Sequence, residues 1–506
     1  MSCLLSIKEM YAADAAAMAA GVPGRTLMEA AGWQVARAIR RRFPPRRVVV
    51  LCGPGNNGGD GFVVARLLSS WGWPVRLALL GGIGQIKGDA ALMAGRWRGP
   101  VLAPSVDLLD DAPLVVDALF GAGLTRPLDG LARQLVETIN LRRLQVAAID
   151  MPSGIDGDTG AVLGAAPQAA LTVTFFRPKP GHVLMPGRLL CGELVVGDIG
   201  IPQSVLAEIG PRAWINTPAL WGERLPWPEA DGHKYRRGHL LVAGGGTMTG
   251  AARLAASAGH RAGAGLTTVV APKEALAVYR AGQPGIIVQD MDAWDDLLAD
   301  RRRNAAVLGP GLGVGEDTRR LVLGALAAGK SCVLDADALT SFAGNPAALW
   351  GVGGTPVVTP HDGEYSRLFS QLGDRLTRAR RAAGESGAVV LLKGADTVVA
   401  APDGRAAVTV SAPPTLATGG TGDVLAGIIG GLLAQGMSPF DAACAGAWMH
   451  GEAATTFGPG LIAEDLVEVL PEIWRRLADD RRPAEAEQPL GQRAAVNHRW
   501  RRRWRM

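Results

Sequence analysis

Short apolar runs recur along the chain, bounded by glycine or proline and separated by segments with helical periodicity. Runs that are apolar throughout are typical of strands buried on both faces of a parallel sheet. The pattern predicts helices over 25–42, 60–71 and 129–141. It predicts strands within 46–55, 74–82, 114–121, 144–154 and 170–176. This alternation indicates an α/β block with helices packed on a parallel sheet.

The same alternation returns after 215–235, a segment rich in proline and turn residues. Strands are predicted within 238–245, 266–272, 305–311, 331–339, 355–360, 388–394 and 396–404. Helical patterns then dominate to about residue 477. We therefore expect two α/β domains, over 1–215 and 225–478. The polar, proline-containing segment 479–506 is expected to be a disordered basic tail.

Composition changes this picture little. A chain of 506 residues is too long for one core. The net charge of +5 includes six arginines within 493–505, so the rest carries 5 − 6 = −1, and no nucleic-acid partner is expected. Five scattered cysteines without a CxxC pair favour the cytoplasm over a disulfide framework or zinc site. No apolar run reaches the ~20 residues of a membrane span. The apolar run at the start of the chain, Cys3 to Ile7, is too short for the apolar region of a signal peptide.

Two motif matches fail in their context. The segment GALAAGKS (324–331) satisfies the P-loop pattern, but a helical segment precedes it and a strand follows, which reverses the required order. We expect Gly329 to end that helix instead. The segment GPGNNG (53–58) follows a strand, yet the next predicted strand has no terminal acid to bind a ribose. A hydride-transfer dinucleotide domain is therefore not indicated.

Polar residues cluster after three predicted strands of the first block. The loop CGPGNNGGDG (52–61) supplies Asn57 and Asp60, and Asp117 and Asp150 end two later strands. Amide and carboxylate oxygens suit a hard cation such as K⁺ or Mg²⁺. Carboxyl ends of parallel strands converge on one crevice, so a ligand site is predicted there. The alternative for Asp60 is a helix N-cap.

A glycine-rich loop opens a predicted helix in the second block, in TGGTGDVLAG (418–427). Glycines allow close backbone approach, and a helix N-terminus binds anions, so this loop predicts a phosphate site. Asp423 stands at the junction. A carboxylate there can take the proton of the hydroxyl that accepts a phosphoryl group. The alternative is that Asp423 is only a helix N-cap.

The order of these motifs resembles the bifunctional NAD(P)H-hydrate repair enzymes, in which an epimerase domain is fused to a dehydratase domain. The resemblance covers roughly 8–475 and includes NNGGDG, VDALFGAG, AIDMPSG, HKYRRG, GAGL, GPGLG, LDADAL, TPHDGE, LKGADT and ATGGTGDVLAG. It implies a Rossmann-like three-layer α/β/α epimerase domain and a ribokinase-like α/β/α dehydratase domain. It implies hydrated NAD(P)H, called NAD(P)HX, as substrate and ADP or ATP as co-substrate. It also implies a homo-oligomer.

The resemblance also assigns residues. It implies K⁺ held by Asn57, Asp117 and Ser153, Mg²⁺ in the dehydratase domain, and catalytic roles for Asp150 and Asp423. Substrate contacts are implied for Asn56, Asn57, Gly58, Gly59, Asp60, Gly121, Ala122, Gly123, Leu124, Thr125, Arg126, Pro127, Asp150, Ala251, Gly311, His361 and Asp423. Nucleotide contacts are implied for Lys393, Gly394, Ala395, Asp396, Thr397, Gly419, Gly420, Thr421 and Gly422.

The implied chemistry explains why a dehydration would consume a nucleotide. Hydroxide leaves the hydrated ring poorly, whereas phosphorylation first converts the leaving group to phosphate. For the epimerase, Asp150, Asp60 and Lys179 all remain possible acid–base groups. Two alternatives stay open: a small-molecule kinase of the ribokinase superfamily with a ligand-binding first domain, and an RNA-related interaction scaffold.

Overall fold

The computed structural model describes residues 3–481, and seven strands among them form a first, all-parallel sheet. From edge to edge these strands are Val101–Leu102, Val75–Leu79, Val48–Cys52, Leu114–Ala118, Val146–Ile149, Leu171–Phe175 and Glu193–Gly197. The strand order reverses between the third and fourth of them, which opens a crevice at their carboxyl ends. The predicted Rossmann-like first domain is thereby confirmed.

Helices cover this sheet. The α-helices up to residue 209 are Ile7–Ala19, Gly24–Arg42, Asn56–Ser70, Gly88–Arg96, Gly130–Leu141, Gly187–Cys191 and Val205–Ile209. The next helix, Pro218–Trp221, packs instead in the core of the second domain. The helix predicted over 60–71 begins at Asn56, with Gly55 as its N-cap, so the N-cap interpretation of Asp60 is wrong. The sequence pattern missed both edge strands, because Val101–Leu102 has only two residues and Glu193–Gly197 is partly exposed and begins with a charged residue.

Eleven strands among residues 3–481 form a second sheet. Their order is Cys3–Leu4, Ala213–Ile215, Ala406–Val408, Val398–Ala400, Val389–Leu392, Val357–Val358, Ser331–Leu334, Ala305–Leu308, His239–Ala243, Leu266–Ala271 and Ile287–Asp290. The last seven are parallel to one another. The strand at 398–400 is antiparallel to both of its neighbours.

The first two strands of this list correct the predicted division of the chain. Cys3–Leu4 and Ala213–Ile215 fall within the predicted first domain, yet they pair with each other, and the second of them extends the second sheet beside Ala406–Val408. The side chain of Leu4 packs with Val183 and Leu184 in the second sheet's core. These short strands carry no periodic signal of their own, so the pattern could not assign them across the boundary.

The second sheet also lies between helices, as expected for a ribokinase-like domain. These α-helices are Thr249–Arg261, Leu276–Arg280, Trp294–Ala299, Glu316–Ala327, Ala336–Thr340, Asp362–Leu368, Arg375–Ser386, Thr421–Ala434, Pro439–Phe457 and Ala463–Arg481. Gly329 follows the helix Glu316–Ala327 in a left-handed conformation before a strand, so the rejection of the P-loop match is confirmed.

The last helix runs past the predicted end of the fold. Residues 479–481 are helical rather than disordered, and the Arg481 guanidinium lies 5.5 Å from the ring centroid of Trp227. This contact gives the polar last turn a packing partner that the sequence does not show. The remainder of the predicted tail, 482–506, lies outside the described residues. Within the described range, no helix combines the length and hydropathy needed to cross a membrane.

Candidate active sites

A cavity of about 620 Å³ opens at the carboxyl ends of the first sheet. The predicted substrate residues that line it are Asn56, Asn57, Asp60, Gly121, Ala122, Gly123, Leu124, Thr125, Arg126 and Asp150. Gly58, Gly59 and Pro127 do not line it. The cavity also receives Tyr11 and Asp14 from the helix Ile7–Ala19, which the sequence analysis missed.

The Asp150 carboxylate is the polar centre of this cavity. The Lys179 ammonium, 2% exposed, donates to Asp150 Oδ1 at 2.7 Å and to the Thr174 hydroxyl at 2.8 Å. That hydroxyl donates to the same Oδ1 at 2.9 Å, and the Ala122 N–H donates to Oδ2 at 3.0 Å. Burial alone would raise the pKa of Asp150, but the Lys179 charge and these hydrogen bonds hold the pKa at about 2. Asp150 is therefore ionised and anchors Lys179.

A buried histidine fixes the segment that carries Lys179. His182 Nδ1 accepts from the Lys179 backbone N–H at 2.9 Å, so its other ring nitrogen, Nε2, donates to the Asp150 backbone carbonyl at 2.7 Å. Burial, with the Lys179 charge, lowers the pKa of His182 to about 4. The ring is therefore neutral near pH 7, and its two hydrogen bonds connect the backbone of Lys179 to the backbone of Asp150.

Two further carboxyl groups of the cavity hold protons more tightly than usual. Burial, reinforced by the charge of Asp150, raises the pKa of Asp14 to about 6 although Lys179 opposes the shift. Burial and the charges of Asp150 and Asp14 raise the pKa of Asp60 well above its ordinary value. Groups with a pKa near the working pH suit general acid–base chemistry. The cavity thus combines one cation, one firmly ionised carboxylate, a carboxyl group on Asp14 whose pKa lies near the working pH, and a buried carboxyl group on Asp60.

Two of the predicted K⁺ residues, Asp117 and Ser153, are in direct contact, and the third, Asn57, lines the cavity. Asp117, 1% exposed, accepts from the Ser153 hydroxyl at 2.6 Å and from the Ser153 N–H at 2.7 Å. Burial raises the pKa of Asp117 despite these bonds. The Asn57 Nδ2 atom is buried without a hydrogen-bond partner. Turning that amide over would present its oxygen instead. Carboxylate, hydroxyl and amide oxygens around an uncompensated buried charge fit a hard monovalent cation.

The second site is built on the helix Thr421–Ala434. Its N-cap, Gly420, has φ +88°, a left-handed conformation that glycine adopts without strain. The first-turn N–H groups of a helix lack intrahelical partners and can bind an anion. Asp423 is the third residue of the helix, and within residues 3–481 its carboxylate accepts no hydrogen bond. The N-cap interpretation of Asp423 is therefore wrong, and its oxygens are free for a substrate.

Charged side chains from neighbouring strand ends surround Asp423. The Lys393 ammonium donates to Asp335 Oδ1 at 2.7 Å and lies 3.9 Å from Glu364 Oε2. A Cβ on Gly422 would lie 3.6 Å from Lys393 Nζ and 3.8 Å from Asp335 Oδ2, so this pair adjoins the glycine loop. Burial and the Asp335 charge raise the pKa of Asp423 to about 6, although Lys393 opposes the shift. Asp423 is thus suited to take up a proton near neutral pH.

The other predicted substrate residues of this domain lie in two places. Gly311 lies against Ala251, since a Cβ on Gly311 would be 3.2 Å from the Ala251 Cβ. His361 is the N-cap of the helix Asp362–Leu368, where its Nδ1 accepts from the Gly363 and Glu364 N–H groups. Its Nε2 lies 3.5 Å from Glu364 Oε1. His361 therefore has a structural role that is compatible with a substrate contact by its exposed ring edge.

The segment predicted to bind nucleotide, 393–397, is held by Arg375. The Arg375 guanidinium donates to the Lys393 carbonyl at 2.8 Å and to Asp362 at 2.6 Å, and its Nε lies 2.9 Å from Asp396 Oδ1. Asp396 Oδ2 also accepts from the Met185 N–H at 2.8 Å. Both carboxylate oxygens of Asp396 therefore already have partners, Arg375 in the second domain and Met185 in the first. Arg375, like Tyr11 and Asp14, is a residue that the sequence pattern did not indicate.

Other residues of the segment are placed differently. The Ala395 carbonyl accepts from Arg188 of the first domain at 3.1 Å. The Thr397 hydroxyl closes a turn by donating to the Gly394 carbonyl at 2.8 Å. Lys393 alone among the five is connected to Asp423, whose charge helps to raise the pKa of Lys393 against its burial. In the glycine loop, the Thr421 hydroxyl donates to the Leu416 and Thr418 carbonyls, and Gly419 is open to solvent.

Known proteins resemble this chain along nearly its whole length. The family described as YjeF-related protein N-terminus matches residues 24–181, and the family described as NAD(P)H-hydrate dehydratase matches residues 239–471. The bifunctional NAD(P)H-hydrate repair enzyme of Moorella thermoacetica is 40% identical over 91% of this chain and 94% of its own. Its Escherichia coli counterpart is 36% identical over 90% and 91%.

A solved structure was also found. The Bacillus subtilis ADP/ATP-dependent NAD(P)H-hydrate dehydratase, crystallised with ATP and Mg²⁺, is 28% identical and covers 52% of this chain and 98% of its own, with a TM-score of 0.47. The assignment depends on the relatives above, which match both halves in one chain and in one order. On that ground, this chain belongs to the family of bifunctional NAD(P)H-hydrate repair enzymes.

Proposed function

We propose that the chain repairs hydrated nicotinamide nucleotides in two steps. The first domain interconverts the R and S epimers of NAD(P)HX, and the second dehydrates the S epimer with ADP or ATP through a phosphorylated intermediate. Family membership supports both steps. The observation that carries the second is a carboxylate, Asp423, without a partner at the start of a helix whose N-terminus can bind phosphate. No observation favours a different small-molecule kinase or an RNA scaffold.

The dehydration follows from the groups around Asp423. Its carboxylate takes the proton of the C6 hydroxyl, whose oxygen attacks the terminal phosphorus of the nucleotide. ADP leaves as AMP, or ATP as ADP, while backbone N–H groups of residues 420–422 stabilise the transferring phosphoryl group. The C6–O bond then breaks, phosphate departs with the bonding electrons, and the ring nitrogen supplies the replacing pair. Loss of one C5 proton yields NAD(P)H, phosphate and the shortened nucleotide.

The epimerisation needs a base for the C6 hydroxyl and an acid for the ring nitrogen, because the ring opens to an aldehyde and closes on the other face. We assign the acid to Lys179, which Asp150 and Thr174 hold in the cavity. We assign the base to Asp14, whose pKa of about 6 lets it exchange a proton near neutrality. If the aldehyde presents its other face to the ring nitrogen before the ring closes, the configuration at C6 is inverted. Asp14→Asn should slow equilibration of pure R epimer, and an unchanged rate would refute this assignment.

We propose that K⁺ binds at Asn57, Asp117 and Ser153 and neutralises Asp117. KCl should then raise the melting temperature more than tetramethylammonium chloride does, and Asp117→Asn should remove the difference. For the second domain we propose Mg²⁺ carried by the nucleotide phosphates. Within the described residues no three His, Cys, Asp or Glu side chains are grouped around a metal position. Mg²⁺ often binds through one or two carboxylates plus phosphates, so Mg²⁺ should tighten ADP binding measured by calorimetry.

The assembly and location of the protein are also proposals. We propose a homo-oligomer in the cytoplasm without nucleic-acid or membrane partners. Sedimentation of the purified chain at the monomer mass would contradict the first part, and fractionation with the membrane or an exported fraction would contradict the second.

The direct test incubates purified protein with an R/S mixture of NADHX and either ADP or ATP. Recovery of the NADH absorbance from both epimers supports both steps. Recovery from the S epimer alone would remove the epimerase assignment, and no recovery would remove the dehydratase assignment. Parallel assays with NADPHX, and with common alcohols as acceptors, measure substrate preference and test the kinase alternative.

The pH dependence of dehydration should reflect Asp423. The carboxylate must be unprotonated to act as base, and its pKa is about 6. We therefore expect kcat/KM for S-NADHX to be steady above pH 7 and to fall about tenfold per pH unit well below pH 6. A profile flat from pH 7 to 5, under conditions where the protein stays folded, would contradict the assignment.

Arg375 should act as a positioning residue for dehydration. Arg375→Ala would release the Lys393 carbonyl and leave the buried Asp396 without its cation. We expect kcat to fall about tenfold or more and guanidinium ion to restore part of it. Arg378→Ala is the matched control, because Arg378 also binds Asp362, at 2.9 Å, but does not reach the 393–397 segment. Equal losses in both variants, without rescue, would indicate only lost stability.

A further inference from the structure

A second cleft, of about 690 Å³, lies on the dehydratase domain away from Asp423. It is formed by the loop 226–237, by residues 264–265 before the strand Leu266–Ala271, and by Gln435. The loop precedes the strand His239–Ala243, so the cleft is at the amino ends of the parallel strands. Asp423 is in the first turn of the helix that Gln435 follows. At a rise of 1.5 Å per residue, the twelve steps along the helix from Asp423 to Gln435 span about 18 Å.

The walls of this cleft are strongly basic. Lys234, Arg236 and Arg237 line it, and Glu229 is the one acidic lining residue in the described chain. Glu229 accepts from Arg236 at 2.7 Å. Within residues 3–481, neither Lys234 nor Arg237 has a carboxylate within 4.0 Å. Two cations of the cleft are therefore uncompensated, although the described body of the chain is not basic.

A histidine on the cleft wall lies close to this positive charge. Burial, together with the charges of Arg237 and Arg261, lowers the pKa of His260 on the cleft wall. His260 is thereby neutral near pH 7 and can still donate a hydrogen bond. Two point charges beside a neutral donor match the oxygens of a diphosphate better than a single carboxylate. The volume exceeds that of inorganic diphosphate and falls within the range of clefts that hold nucleotide-sized ligands.

We propose that this cleft is a second binding site, for a ligand that carries a diphosphate group. Lys234 and Arg237 bind the diphosphate, and the remaining volume accommodates a nucleoside. The site is separate from the phosphoryl-transfer loop, so it would bind its ligand without consuming it. Free nucleoside diphosphates and dinucleotides share this chemistry, and both occur in the assay of the proposed function.

Calorimetric titration with inorganic diphosphate tests the proposal. The double variant Lys234→Gln/Arg237→Gln should lose one binding event per chain or bind at least tenfold more weakly there. Both side chains are exposed, so the fold should be retained, as the melting temperature would verify. Glu229→Gln frees Arg236 and should strengthen the same event. Lys273→Gln, at an exposed lysine paired with Asp292 on the same domain, is the matched control and should bind as wild type does.

Competition by ADP and by NADH identifies the source of the diphosphate. The proposal is supported if ADP or NADH displaces diphosphate from this site in the wild type and no such displacement is measured in the double variant. The proposal is overturned if wild type and double variant bind diphosphate with the same affinity and stoichiometry. It is also overturned if Glu229→Gln weakens the event that the double variant loses, because the added positive charge must strengthen it.

Discussion

Replacement of Asp423 by asparagine is expected to reduce dehydration of S-NADHX by about 10²–10⁴-fold while ADP still binds. Asparagine keeps the size of the side chain but cannot accept the hydroxyl proton. The first-turn N–H groups that bind phosphate are unchanged, since Gly420 and not Asp423 caps the helix. Stopped-flow absorbance of NADH with S-NADHX and ADP measures the rate, and calorimetry measures nucleotide affinity.

The matched control for this variant is Asp317→Asn. Asp317 is also an acid in the first turn of a helix, Glu316–Ala327, but it is exposed and is not associated with the glycine loop. A general effect of removing negative charge from a helix N-terminus would slow both variants alike. Epimerisation of R-NADHX by Asp423→Asn should continue at the wild-type rate. A dehydratase rate near wild type in Asp423→Asn would contradict its role as base.

Replacement of Lys179 by methionine is expected to abolish most epimerase activity and to destabilise the first domain by about 3–5 kcal/mol. The change removes the proposed acid and leaves the Asp150 carboxylate buried without its cation. Urea unfolding at pH 7 measures the stability, and equilibration of pure R-NADHX measures the activity. Lys8→Met, at an exposed lysine of the helix Ile7–Ala19, should change neither.

The stability difference for Lys179→Met should depend on pH with a defined sign. In the wild type the pKa of Asp150 is lowered to about 2, so its stabilising contribution is present above the unfolded pKa of about 4 and is lost as the pH falls toward 2. In the variant, protonation of Asp150 relieves the buried charge. The difference should therefore be largest near pH 7 and shrink on acidification. A difference that grows on acidification would contradict the ion pair.

Local sequence signals predicted most of the strands and many residues of both candidate sites. Strands such as Val48–Cys52 are continuously apolar, and acids at their ends mark the crevice, so Asp117 and Asp150 could be found from the pattern. Asp335 follows a strand in the same manner and could have been included with them. These features depend on residues close together in the chain, which periodicity detects.

The missed residues depend on contacts between distant segments. Asp14 is one acid in an alanine-rich helix, and its role appears only where that helix meets Lys179 and Asp150. Arg375 lies in a helix with several arginines, and nothing local distinguishes it from Arg380 or Arg381. Likewise, the occupation of Asp396 by Met185 follows from how the two domains meet. Contacts between residues far apart in the chain produce no periodic pattern of apolar and polar residues, so the sequence pattern does not reveal them.

The strands Cys3–Leu4 and Ala213–Ile215 have a consequence for dissecting this protein. A fragment that begins after residue 215 would lack both, and Ala406–Val408 would become an open sheet edge. Unpaired edges are templates for association between chains. The two activities are therefore not separable by a cut in the linker, and the dehydratase half prepared in that way should aggregate. A fragment that retains Ala213–Ile215 keeps Ala406–Val408 covered and should aggregate less.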